Sequence, residues 1–157
     1  LLKDFLELNG IPEGPLLLRD FGLQENKLIS SGHMGHKFKE IENILLTYPE
    51  LKFVLIGDSG QEDPKIYREV VEKYPGRIAA IYIRDVKLPE RKEIAVAISQ
   101  ELTAEKVEMI IVENTVEAAE HAAKAGLIFT ESIKQIDRDK QEDQGEKPGK
   151  EESEILP

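Results

Sequence analysis

The chain of 157 residues contains no cysteine, which excludes disulfides and thiolate metal sites and fits a reducing compartment. The expected location is therefore the cytoplasm. It has no apolar run of the ~18 residues needed to span a membrane as a helix, and its first residues lack a basic stretch leading into a hydrophobic signal core. At most a peripheral membrane contact is expected. Positive charge is also scarce: the formal net charge is -10, and Asp137 to Pro157 hold eight acids against four bases, which leaves -6 on the body. Neither part suits a polyanion, so nucleic acid is excluded as a partner. Of the three histidines, His33 and His36 lie three apart without a third ligand nearby, and His121 falls on a surface helix face. No transition-metal site is predicted.

With 40% hydrophobic residues, the chain can bury the core of a single domain. Leu1 to Leu8 read as the apolar-periodic end of a helix stopped by Asn9-Gly10, as expected of a piece of a longer protein. Leu16 to Leu18 form a short apolar strand ending in Arg19-Asp20. A helix is predicted from about His36 to Thr47, with Phe38, Ile41, Ile44 and Leu45 on one face and Pro49 beyond its end. Strand Phe53 to Ile56, helix Pro64 to Tyr74, strand Ile78 to Ile83, helix Arg91 to Glu101, strand Val107 to Val112 and helix Thr115 to Ala125 follow in alternation. That order predicts an α/β fold, a Rossmann-like parallel sheet with helices on both faces. Residues 1–130 make up the domain, and 131–157 an acidic tail. From Asp137 onward, charge, glutamine and glycine without an apolar face predict disorder.

The chemistry concentrates in Phe53-Val54-Leu55-Ile56-Gly57-Asp58-Ser59-Gly60-Gln61-Glu62-Asp63-Pro64. Here an apolar strand delivers Asp58 and Asp63 onto a glycine-rich turn that opens a helix, where α/β sheets bind ligands. Two carboxylates there suit Mg²⁺, which completes its octahedron with waters and a substrate phosphate. Gly57 and Gly60 permit close backbone approach, and the turn, with Ser59, is a substrate-binding candidate. The structural alternatives are plain: Asp58 as a turn aspartate, Asp63 as an N-cap before Pro64, Ser59 as a turn hydroxyl and Glu62 facing solvent. Lys37, with His33, His36 and Lys39, stands at the predicted start of a helix, where the macrodipole disfavours cations. An anion would offset that cost, which makes Lys37 a catalytic and His36 a substrate-binding candidate; the structural alternative is a solvated lysine that costs about a few tenths of a kcal/mol. Arg84 and Asp85 end a strand on the same rim, either orienting the turn or the substrate or making a structural ion pair.

Gly14-Pro15 before Leu16 to Asp20, His36-Lys37, Phe53 to Pro64, Ile66-Tyr67, Tyr82 to Asp85, Ala118 to Ala122 and Gly126 to Ile128 together resemble one family. It is the catalytic domain of the actin-patch-associated phosphatidate phosphatases, in the haloacid dehalogenase superfamily. The resemblance implies phosphoryl transfer through an aspartyl-phosphate on an Asp-x-Asp-x-Thr strand, Lys37 contacting phosphate, and Asp58 and Asp63 as the late acids that hold Mg²⁺. It implies hydrolysis of a phosphomonoester, phosphatidate to diacylglycerol. No Asp-x-Asp-x-Thr occurs in these residues. The expectation is the carboxyl-terminal part of a phosphatase domain lacking its first strand, inactive alone, whose partner is the missing amino-terminal segment. Its sheet edge would be exposed. The alternatives are a noncatalytic phosphate-binding descendant and an interaction module whose Asp58 and Asp63 only shape a turn.

Overall fold

The computed structural model describes residues 14, 15, 17 and 32–143. They belong to two compact units, Leu1–Thr47 and Tyr48–Pro157. Apart from Leu17, the expected first helix and the Leu16 to Leu18 strand, with Arg19 and Asp20, lie outside the described residues.

The first unit contributes helix α1, Gly32–Thr47. Its predicted apolar positions Phe38, Ile41 and Ile44 are half-buried and Leu45 is buried. The helix starts before His36, so Lys37 lies in its second turn. The macrodipole acts mainly over the first turn, and the cost expected for Lys37 is correspondingly smaller.

In the second unit the elements are β1 (Phe53–Asp58), α2 (Asp63–Lys73), β2 (Ile78–Arg84), α3 (Pro89–Ala104), β3 (Met109–Val112), α4 (Thr115–Lys124) and α5 (Ser132–Asp143). The strands form a parallel sheet in the order β1-β2-β3. Alternation along β2 sends Ile81 and Ile83 to one face and Ala80 and Tyr82 to the other, and all four are buried. Ala80, Tyr82, Val112 and Ala122 form a core cluster with Ile110, Ala118 and Ile128 packed against it, which places α4 on the second face. Helices α2 and α3 pack together; α2 also packs on β1 and β2, and α3 on β3. Their buried Ile66, Tyr67, Val70, Val71, Ala95, Ile98 and Leu102 supply the remaining core.

Register places Asp58 opposite Arg84, and Arg84 opposite Val112, so the three carboxyl ends finish in one row. That row is the rim of the site. On its other side β1 has no strand partner among the described residues, and Ile56 is 75% exposed.

Helix α4 is closed at both ends by its sequence. Asn114 Oδ1 accepts the N–H groups of Val116 and Glu117, while Glu117 accepts the N–H of Glu113 rather than that of the cap residue itself. Gly126, at φ 72°, lets Gly126 and Leu127 donate to the carbonyls of Ala123 and Ala122, a Schellman closure. Helix α5 stands where composition predicts a disordered tail. Pairs four apart, Gln135 to Asp139 and Gln141 to Asp137, brace it, and its half-buried Ile133 and Ile136 were too sparse a signal to show an apolar face. Residues 144–157 lie outside the described residues.

Candidate functional site

Asp58 is the last residue of β1. Its Oδ1 accepts the backbone N–H groups of Gly60 at 2.8 Å and Gln61 at 3.1 Å, the turn geometry that an aspartate followed by Ser-Gly favours. Among the described residues Oδ2 makes no such bond. The turn-forming role is thus real, and it uses one oxygen.

Asp63 does not cap α2. The N-cap is Glu62, without a side-chain cap bond, and Asp63 and Pro64 fill the first two helical positions. Buried to 3% exposure, the Asp63 carboxylate instead turns back to β1 and accepts the Asp58 N–H at 3.2 Å. Gly57 makes room for it: a Cβ on Gly57 would lie 2.9 Å from both Asp63 Cβ and Cγ. Tyr67, one turn further along α2, donates its hydroxyl to the Ile56 carbonyl at 2.7 Å. Burial, and then the negative charges of Asp63 and Asp58, push the phenol pKa up, so it stays a donor. Sequence reasoning gave Tyr67 no role, because nothing in spacing reveals a bond from a helix to the strand before it.

The amides of the first four turn residues are used within the protein. Asp58 N–H goes to Asp63, Ser59 N–H to the Arg84 carbonyl at 2.9 Å, and those of Gly60 and Gln61 to Asp58. They do not form the anion cradle that Gly57, Ser59 and Gly60 suggest. Ser59 is 1% exposed and its Oγ accepts the Val86 N–H at 3.1 Å, so it is a structural hydroxyl and presents no surface to a substrate. Glu62, expected in solvent, is half-buried and pairs with Lys65 at 2.7 Å and Arg91 at 2.8 Å, which hold its pKa below the ordinary carboxylate value. The Lys65 spacing was visible; the Arg91 contact was not.

The structural ion pair expected at this strand end forms at Asp85, with Lys92. Arg84 is exposed at the rim, while Asp85 is buried and takes Lys92 Nζ at 2.8 Å and the Lys87 N–H at 2.8 Å, with its pKa lowered by both, Lys92 first. Lys87 adopts φ 61°, a left-handed conformation that the Asp85 bond holds. His36 and Lys37 sit on α1 in the other unit, where His36 lies 3.9 Å from Glu40. His121 is more than a surface residue: its Nδ1 is 2.9 Å from the Tyr82 hydroxyl and its Nε2 is 3.3 Å from Glu108.

The resemblance implies Mg²⁺, and the donors at this turn suit it: two carboxylates, all oxygen, on a turn that fixes their separation. Two carboxylates are not a protein cage, and no group of three or more His, Cys, Asp or Glu able to hold a metal occurs among the described residues. Beside the turn, Gly57 and Arg84 border an open groove of about 440 Å³ whose walls include Val54, Ile56, Tyr82 and Leu127. No described helix is long and apolar enough to cross a membrane.

Residues 1–85 match the family described as phosphatidate phosphatase APP1, catalytic domain. The phosphatidate phosphatase APP1 of Saccharomyces cerevisiae is 37% identical over 84 residues, which are 54% of this chain and 14% of that protein. An uncharacterized protein of Schizosaccharomyces pombe is 54% identical over 35 residues, 22% of this chain and 6% of that protein. The chain thus spans only a small part of the curated relatives it matches. No solved structure matches it significantly. All of the candidate residues Lys37, Asp58, Asp63 and Arg84 fall within the matched segment, whereas the resembling residues Ala118 to Ile128 lie beyond it.

Proposed function

Because the chain belongs to the phosphatidate phosphatase APP1 catalytic-domain family, we propose that it is part of a Mg²⁺-dependent phosphatase that hydrolyses phosphatidate to diacylglycerol. The observation that carries this reading is the pair Asp58 and Asp63, joined by a hydrogen bond on the turn after β1. When bound, Mg²⁺ would neutralise phosphate charge as it shifts during transfer. Asp58 and Asp63 would hold the cation. Recognition of the phosphate would rest on Arg84 on the rim, with Lys37 and His36 by the family pattern alone.

An Asp-x-Asp-x-Thr segment outside these 157 residues would supply the nucleophile, and the fragment alone would be inactive. The haloacid dehalogenase-like fold belongs to the same proposal, as does a cytoplasmic protein meeting its substrate peripherally at a membrane.

The test is phosphate release by the natural full-length protein from phosphatidate vesicles and from a soluble phosphomonoester, with and without chelator. Release from phosphatidate that stops with chelator and returns with Mg²⁺ supports the reading. Phosphate binding without release would support a noncatalytic descendant instead.

A further inference from the structure

The acid turn does not stand alone. Three bonds fasten it to the stretch from the end of β2 to the first turn of α3: Ser59 N–H to the Arg84 carbonyl, Val86 N–H to Ser59 Oγ, and Arg91 Nη1 to Glu62 Oε1. These attach at the second and the fifth of the six residues from Asp58 to Asp63, so they brace the turn between the two carboxylates. Contact is close as well, since a Cβ on Gly60 would lie 3.1 Å from Val86 Cγ2. The second segment is itself fixed, through Asp85 bonded to Lys92 and to the left-handed Lys87. Arg91 lies in the first turn of α3, a place that disfavours a cation, and its partner Glu62 offsets that cost.

We propose that Ser59, Glu62 and Arg91 are positioning residues: they hold the separation of Asp58 and Asp63, and so set cation affinity at the turn from the β2–α3 segment. The proposal rests on the cation reading of the acid pair given above. Residues that orient metal ligands without touching the metal change affinity by about 10- to 100-fold when removed.

Charge and positioning predict opposite signs at Arg91. Arg91→Met removes a positive charge near the acids, so electrostatics alone would tighten cation binding. Loss of the brace would weaken it. The experiment measures Mn²⁺ binding, as a spectroscopic stand-in for Mg²⁺, to the natural full-length protein and to its Arg91→Met, Ser59→Ala and Glu62→Gln variants, with circular dichroism as the check on folding. Expected are about tenfold weaker binding for Arg91→Met and, with no charge change, for Ser59→Ala, with Arg91→Lys restoring part of the loss. The losses in the Arg91→Met, Glu62→Gln double variant should be less than additive, because the two substitutions share the Arg91–Glu62 contact while Glu62 has Lys65 as a second partner.

Unchanged or tighter binding in folded Arg91→Met would overturn the positioning role while leaving the acid pair as a cation site. Absence of Mn²⁺ binding in the unsubstituted protein would overturn both.

Discussion

The Asp63 carboxylate accepts the backbone N–H of Asp58 at 3.2 Å, so the second acid of the turn holds the first in place. One side chain thereby serves structure and charge together. Asparagine keeps the acceptor and loses the charge, whereas alanine loses both. Asp63→Asn should retain slow hydrogen exchange at the Asp58 amide, and Asp63→Ala should speed it and lower stability by about 1 kcal/mol through the lost bond to a half-buried donor. Equal exchange in the two variants would contradict this. Gly57→Ala should destabilise by about 1–3 kcal/mol, since its methyl would overlap the same carboxylate.

Tyr67→Phe removes one hydroxyl from the Ile56 carbonyl and changes little else. The expected loss is about 1 kcal/mol, read from the denaturant midpoint. An unchanged midpoint would mean that water replaces the phenol at no cost.

Acid should weaken the loops around the site first. Asp85 and Glu62 both have pKa values lowered below their ordinary 3.8 and 4.5 by their cationic partners. A group whose pKa is depressed by folding stabilises the fold above its ordinary value and loses that contribution as pH falls through the folded value. Stability should therefore decline as pH drops below about 4.5. Asp85→Asn should be less stable near neutrality and show a shallower acid decline, which a pH series of unfolding midpoints would reveal. A decline of unchanged slope would remove Asp85 from the account.

Much of this arrangement was legible in the sequence. Apolar runs bounded by turns located all three described strands, and Asn114 with Glu117 marked the start of α4, because such signals are local. The acid turn was legible for the same reason, since Asp58 and Asp63 share one short segment. What escaped were the partners reached across the chain: Arg91 reaching Glu62, Val86 reaching Ser59, and Lys92 reaching Asp85. The structural alternative for Asp63, an N-cap, rested on the strong signal of Asp before Pro and does not hold, while the space over Gly57 that lets its carboxylate turn back to β1 appears only in three dimensions. Helix α5 was missed because its support is side-chain pairing and two half-buried isoleucines, against a composition that otherwise favours disorder.

The central claim is that Asp58 holds the cation on which phosphatidate hydrolysis depends. Asn at this position can still accept the N–H groups of Gly60 and Gln61, so the turn survives while the charge is lost. The decisive measurement is Mg²⁺-dependent phosphate release from phosphatidate by the natural full-length protein carrying Asp58→Asn, beside its circular dichroism spectrum. The account predicts an unchanged spectrum with release reduced to background; release at the level of the unsubstituted protein would contradict it.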